Sequence, residues 1–185
     1  MKDSLFLRDK VPMTKADVRA VSIDKLDLRT AKRFLDVGAG TGSISIQAAL
    51  EYPQLEVVAI ERKIEAVQLI QKNRTHFECE NLEVISGLAP VDLSGYFDAI
   101  FVGGTGGQMA DIFSWCHGLL HPGGRLVLNF ILLENALEAY QIADSMSWVD
   151  VEFVSIQSSQ WTGLGSGHYF KPQNPTFILS CKKES

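Results

Sequence analysis

Between residues 33 and 140 short apolar runs alternate with longer segments whose apolar positions recur every three or four residues. RFLDV (33–37) is an apolar run stopped by glycine, as expected of a buried strand. Gly42 to Glu51 carries a helical pattern that stops at Tyr52-Pro53, because proline cannot continue a helix. EVVAIE (56–61) reads as the second strand. Ala66, Val67, Ile70 and Phe77 mark the inner face of a helix from about Lys63 onward. LEVISG (82–87) and FDAIFVGG (97–104) follow as the third and fourth strands. Met109, Ile112, Phe113, Cys116, Leu119 and Leu120 fit the helical period closely. HPGG (121–124) predicts a turn, RLVLNFI (125–131) a fifth strand, and Leu133, Ala136, Leu137 and Tyr140 one more helix.

The rhythm then changes. VDVEFVSIQSS (149–159) reads as a strand, TGLGSGHYFKPQNP (162–175) as a glycine-rich loop, and TFILSCKK (176–183) as a last strand. Two strands joined only by a loop are most simply antiparallel neighbours. Five β/α steps and this pair predict a Rossmann-like, seven-stranded α/β sheet, mostly parallel with one antiparallel strand and helices on both faces. The predicted fold resembles that of class I S-adenosylmethionine (SAM) methyltransferases. Ligands of such sheets bind at the carboxyl ends of the strands, where strand order switches.

DVGAGTG (36–42) lies at that end of the first strand. Gly38 and Gly40 let a ligand approach the backbone, and the helix beyond offers unpaired N–H groups. A dinucleotide loop has the spacing G-x-G-x-x-G. Here the third glycine is Gly42, one position early, and Ser43 takes the dinucleotide slot. Glycines at this spacing after an acid, Asp36, look like the first motif of SAM methyltransferases. Glu61 ends the second strand 19 positions after Gly42, where a carboxylate can accept hydrogen bonds from both ribose hydroxyls.

Composition narrows the classes. The 185 residues are 46% hydrophobic and 21% charged, which suits one globular domain with a full core. No apolar run approaches a membrane span, and MKDSLFLRDK lacks a signal-peptide core. A net charge of −5 argues against nucleic acid as the main partner. Cys79, Cys116 and Cys181 make no CxxC pair and have no metal-ligand spacing with the histidines, so reduced thiols in a cytoplasmic protein and no metal are expected.

The stretch VPMTKADVR (11–19) precedes the first strand. Pro12 keeps Val11 extended, and Thr14 with Asp17 resembles a capping box. PMTKADVRAVSIDKL, LDVGAGTGSISIQAA, AIERKIEAVQLIQKN, GLAP, IFVGGTGG, LHPGGRLVLNFILLEN and NPTFIL occur in this order along nearly the whole chain. On these segments the chain resembles the cobalamin-pathway methyltransferases. Within them it is most similar to the precorrin-6Y / cobalt-precorrin enzymes that methylate carbon 15 and decarboxylate the ring-C acetate. The resemblance implies SAM as cofactor, a precorrin tetrapyrrole as substrate and a homotetramer. It implies an N-terminal arm and helix, about residues 1–28, folded over the cofactor site of a single domain, with Thr14 at SAM. Gly38, Ala39, Gly40, Thr41 and Gly42 would line the methionine end, and Glu61 the ribose. Related enzymes usually place an acid where this chain has Leu88, so the adenine contact falls to backbone groups of Leu88 and Ala89. In some family proteins this module follows a second methyltransferase acting at carbon 5. The sequence carries no such half, which suits a stand-alone enzyme or an excised domain equally.

A tetrapyrrole with many carboxylates calls for cations around the pocket. Lys15, Arg19, His168 and Lys171 are the candidates, each also readable as ordinary surface charge. Gly103 and Gly104 would leave room for a flat macrocycle, and Asn129 and Glu134 are placed to touch it. No catalytic acid or base stands out, since cofactor and substrate supply most of the reactivity. The competing readings are a methyltransferase with another small-molecule or protein substrate, a nicotinamide-dependent oxidoreductase, and a non-catalytic SAM-binding subunit.

Overall fold

Runs with apolar residues at nearly every position can be buried only between two helical layers, and that sandwich forms here. The computed structural model describes residues 1–184. The parallel strands are β1 (Arg33–Val37), β2 (Glu56–Glu61), β3 (Leu82–Ser86), β4 (Phe97–Val102) and β5 (Leu120–Phe130). With β6 (Trp148–Ile156) and β9 (Thr176–Lys183) they form one seven-stranded sheet in the order β3-β2-β1-β4-β5-β9-β6. The last strand, β9, runs antiparallel to both of its neighbours, β5 and β6. The predicted architecture, with its single reversed strand, is therefore the one observed.

Alternate side chains of the strands build two cores. On one face Phe34, Val57, Ala59, Phe101, Val127 and Ile178 pack beneath α1 (Ala16–Leu26), α2 (Ser43–Glu51) and α3 (Ile64–His76). On the other, Leu35, Val58, Ile100, Leu126, Leu128 and Leu179 pack against α4 (Met109–Leu119) and α5 (Leu133–Ser145).

Two local expectations need correction. The HPGG segment (121–124) is no separate turn, because β5 already starts at Leu120; the register with β4 shifts between Phe97 and Ala99 to absorb it. The glycine-rich segment 162–175 is largely a β-hairpin, β7 (Ser159–Leu164) and β8 (Gly167–Pro172), paired from Ser159↔Pro172 to Leu164↔Gly167. Its strands escaped the hydrophobic pattern because both are almost wholly exposed.

Candidate active site

Strand order reverses direction between β1 and β4, so their carboxyl ends diverge into a crevice. The two ends are tied together, since the Gly103 N–H donates to the Val37 carbonyl at 2.8 Å. The loop after β1 is also fixed on its other side. Gly38 and Ala39 N–H groups both donate to the Ile60 carbonyl, at 2.9 and 3.1 Å. Glu61 then reaches back from the end of β2. One carboxylate oxygen accepts the Gly40 N–H at 3.0 Å and the other the Lys63 N–H at 2.9 Å.

The crevice opens into a cavity of about 600 Å³, within the usual size range for small-molecule sites. An N-terminal strap, residues 11–15, forms one wall. The strap lies directly on the glycine loop: a Cβ on Gly40, whose φ is +57°, would stand 2.9 Å from the Pro12 carbonyl oxygen. Only glycine permits that approach.

Most of the predicted site residues meet in this cavity. Thr14, Gly38, Ala39, Gly40, Glu61, Leu88 and Ala89 line it, as do Lys15, Gly103, Gly104, Asn129 and Lys171. The Asn129 amide is held by Ser22 of α1, with its Nδ2 donating to Oγ at 2.9 Å.

Others fall elsewhere. Thr41 is buried beneath the loop, and Gly42 packs against α3, where a Cβ would meet Ile70 at 3.0 Å. Neither lines the cavity. Arg19 is not a cation of the pocket mouth; it is completely buried in the protein interior. Glu134 is exposed in the first turn of α5, outside the lining. His168 stacks on the Trp161 ring across the hairpin, with centroids 4.9 Å apart, and also lies outside it. The capping box does not form. Lys15 is the N-cap of α1, so the third helical position is Val18 and the Thr14–Asp17 spacing is one residue out of step.

The sequence reading missed Arg62 and Lys63, which line the cavity beside Glu61, and Ser158 and Asn174, which also line it. Two cations directly after the acid that ends β2 were the available signal for the first pair. Lys15, Arg62, Lys63 and Lys171 thus put four cations in the cavity lining. Among the described residues only Lys15 has a carboxylate partner, Asp3 at 4.0 Å.

Beneath the loop lies Asp36, fully buried. One of its oxygens accepts both the Ser45 hydroxyl and the Ser45 N–H, while the other has no partner among the described residues. Burial pushes the carboxyl up to about 7, opposed by the Ser45 hydrogen bonds. An ordinary aspartate titrates near 4. The folded state therefore holds this proton more tightly than the unfolded state. The resulting stability is complete below about pH 4 and disappears as pH rises through about 7, by up to about 1.4 kcal/mol per unit. Denaturant titrations at pH 5 and pH 8 should show this loss in the wild type. Asp36→Asn should flatten it, and an equal slope in that variant would assign the effect to other groups.

A model of the precorrin methyltransferase domain matches residues 4–183 of the chain. The chain belongs to this family. Among precorrin methyltransferases it is 49% identical to the cobalt-precorrin-6B C(15)-methyltransferase (decarboxylating) of Salmonella typhimurium, over 100% of this chain and 96% of that one. The crystal structure of precorrin-6Y C5,15-methyltransferase from Geobacter metallireducens superposes with a TM-score of 0.92 at 29% identity, covering 99% of this chain and 96% of that one. The C-terminal domain of precorrin-6Y C5,15-methyltransferase from Rhodobacter capsulatus gives 0.85 at 26% identity, covering 99% and 97%. Membership in the precorrin methyltransferases makes the cavity at the β1/β4 crevice the candidate for methyl transfer.

Proposed function

We propose that the chain methylates a cobalt-precorrin at carbon 15 with SAM as the methyl donor, and decarboxylates the ring-C acetate, as a cytoplasmic homotetramer in cobalamin biosynthesis. The observation that carries this reading is the 49% identity, over all 185 residues, to the Salmonella enzyme of that name.

The cavity fits SAM. Gly38 and Gly40 line the cavity with bare backbone and let Gly104 and Pro12 pack directly against the loop, and the Glu61 carboxylate is fixed with lone pairs to spare for ribose hydroxyls. Leu88 and Ala89 would border the adenine, and Thr14 the strap side. When bound, SAM supplies an electrophilic methyl group on sulfur. The chain's own part is to hold a macrocycle carbon in line with it and keep water out. A tetrapyrrole is too large for a cavity of about 600 Å³ that also holds a cofactor. Its carboxylate periphery would extend over the rim, where Lys15, Arg62, Lys63 and Lys171 stand. No described side chain stands out as an acid or base for the loss of carbon dioxide. The electron pair released there passes into the conjugated ring.

The test is incubation with cobalt-precorrin-6B and methyl-labelled SAM, read by mass spectrometry. One labelled methyl gained and one carbon dioxide lost supports the reading. A methylated product that keeps every carboxylate would remove the decarboxylase half, and no product at all would remove the substrate assignment. Sedimentation velocity reads the assembly state. No described helix is long and apolar enough to cross a membrane.

The two cations of the late segment should now behave differently. Lys171 lines the cavity and His168 does not. Lys171→Ala is expected to raise the tetrapyrrole KM about two- to fivefold at low salt, the scale of a partly exposed ion pair. His168→Ala should change it less than about twofold. The Lys171 effect should shrink as salt screens it. Equal effects of the two replacements would place the substrate rim elsewhere.

A further inference from the structure

Arg19 has no exposed surface. Taking a guanidinium out of water is costly, and a well-packed apolar side chain of similar size is often at least as stable. Its presence is explained by what it binds. Nη2 donates to the Met1 carbonyl at 2.8 Å, and Nη1 to the Asp3 carboxylate at 3.1 Å and the Thr14 carbonyl at 2.6 Å. Nε donates to Gln47 of α2 at 2.6 Å. One planar group thus ties both ends of the N-terminal segment to the helix that follows the glycine loop. A second pin lies between those ends, where Asn73 of α3 bonds the Leu7 N–H at 2.8 Å and the Leu7 carbonyl at 3.1 Å. Between Leu7 and Thr14 there is no such anchor among the described residues, and there Val11, Pro12 and Met13 wall the cavity.

We propose that Arg19 is a positioning residue for the cofactor. Through the Thr14 carbonyl it holds the strap against the glycine loop and so sets how often the site is closed around its ligand. This rests on the reading of the cavity as a SAM site. Only the flat, forked geometry of arginine can reach all four partners at once, so a lysine keeps the charge but not the function. If the strap of a variant is in place a tenth of the time, the apparent Kd rises about tenfold.

The test uses the full chain with Arg19→Met and Arg19→Lys. The measurements are the Kd of S-adenosylhomocysteine by calorimetry, KM for SAM and for the tetrapyrrole, and the rate of tryptic cleavage after Lys10, the exposed residue just before the strap. Arg19→Met should raise both the Kd and the SAM KM by about tenfold or more. Arg19→Lys should fail to restore them. At saturating SAM, which holds the strap and its Lys15 in place, the tetrapyrrole KM and kcat should both stay within about threefold, a split that a general loss of stability would not produce. Cleavage after Lys10 should accelerate in both variants. A folded Arg19→Met protein whose S-adenosylhomocysteine Kd stays within about twofold of wild type overturns the proposal. If Arg19→Met fails to fold, Asp3→Asn decides, since it loosens one N-terminal contact of an intact Arg19. Faster cleavage after Lys10 with weaker S-adenosylhomocysteine binding supports the proposal; no change in either overturns it. A wild type that binds no S-adenosylhomocysteine overturns the cofactor reading itself, together with this role. Wild-type binding that is insensitive to Arg19 removes only the role of Arg19.

Discussion

Gly104→Leu should cut tetrapyrrole turnover by about a hundredfold or more while leaving the fold intact, because misplacing the reacting carbon by about 1 Å already costs about that much. Gly104 is the second residue of the loop after β4, and a Cβ built there meets nothing within 4 Å. Its φ lies outside the left-handed region, so the backbone accepts a side chain without strain. The new side chain would project into the cavity, where the proposed tetrapyrrole site lies. Gly103 differs, since a Cβ there would stand 3.1 Å from the Gly38 carbonyl and 3.3 Å from the Phe101 ring. Gly103→Ala should therefore lower stability, whereas Gly104→Leu should shift the melting temperature by less than about 3 °C. Calorimetric melting and single-turnover product analysis measure the two effects. Full turnover by Gly104→Leu would mean that the tetrapyrrole does not approach along the end of β4.

Glu61→Ala should weaken S-adenosylhomocysteine binding by roughly 1.5–3 kcal/mol, the usual worth of hydrogen bonds to a charged group. That corresponds to about ten- to 150-fold in Kd. The carboxylate does two jobs at once. It offers acceptors toward the proposed ribose site and anchors Gly40 and Lys63 N–H groups, one on each oxygen. Glu61→Gln should rescue little, because its amide NH₂ must face one of those N–H donors and two donors cannot pair. Titration calorimetry on both variants checks this. Less than a twofold change in both would take Glu61 out of the cofactor site.

The parts of the fold that write themselves into short-range pattern were legible. β1, β2 and β4 are nearly continuous apolar runs because both of their faces are covered, and the loop after β1 declares itself by glycine spacing and the distal Glu61. The cavity residues contributed by those strand ends followed directly. Arg19 was misread because a cation on a short helix ordinarily faces water. The contrary signal was its place among the buried Val18, Ser22, Ile23 and Leu26, which puts it on the inner stripe of α1. The hairpin of β7 and β8 left no alternation to detect, since neither of its faces meets the core. Alternation along β8 puts His168 and Lys171 on opposite faces, but which face meets the cavity depends on how the hairpin sits against the domain, which no pattern in the sequence encodes.

The reversed strand has a consequence for how the molecule is made. β9 is inserted between β5 and β6, and β6 has no other partner in the sheet. Everything up to Ile156 can leave the ribosome and still lack the strand that joins its last two pieces. Until residues 176–183 emerge, Leu126 and Leu128 lie on an open edge, and Ile178, Leu179 and Cys181 are missing from both cores. Synthesis at about 5–20 residues per second leaves that edge uncovered for seconds. The nascent chain therefore passes through a stage in which an unpaired apolar strand can recruit a neighbour, and a chaperone that shields β5 at that stage would raise the yield of folded enzyme.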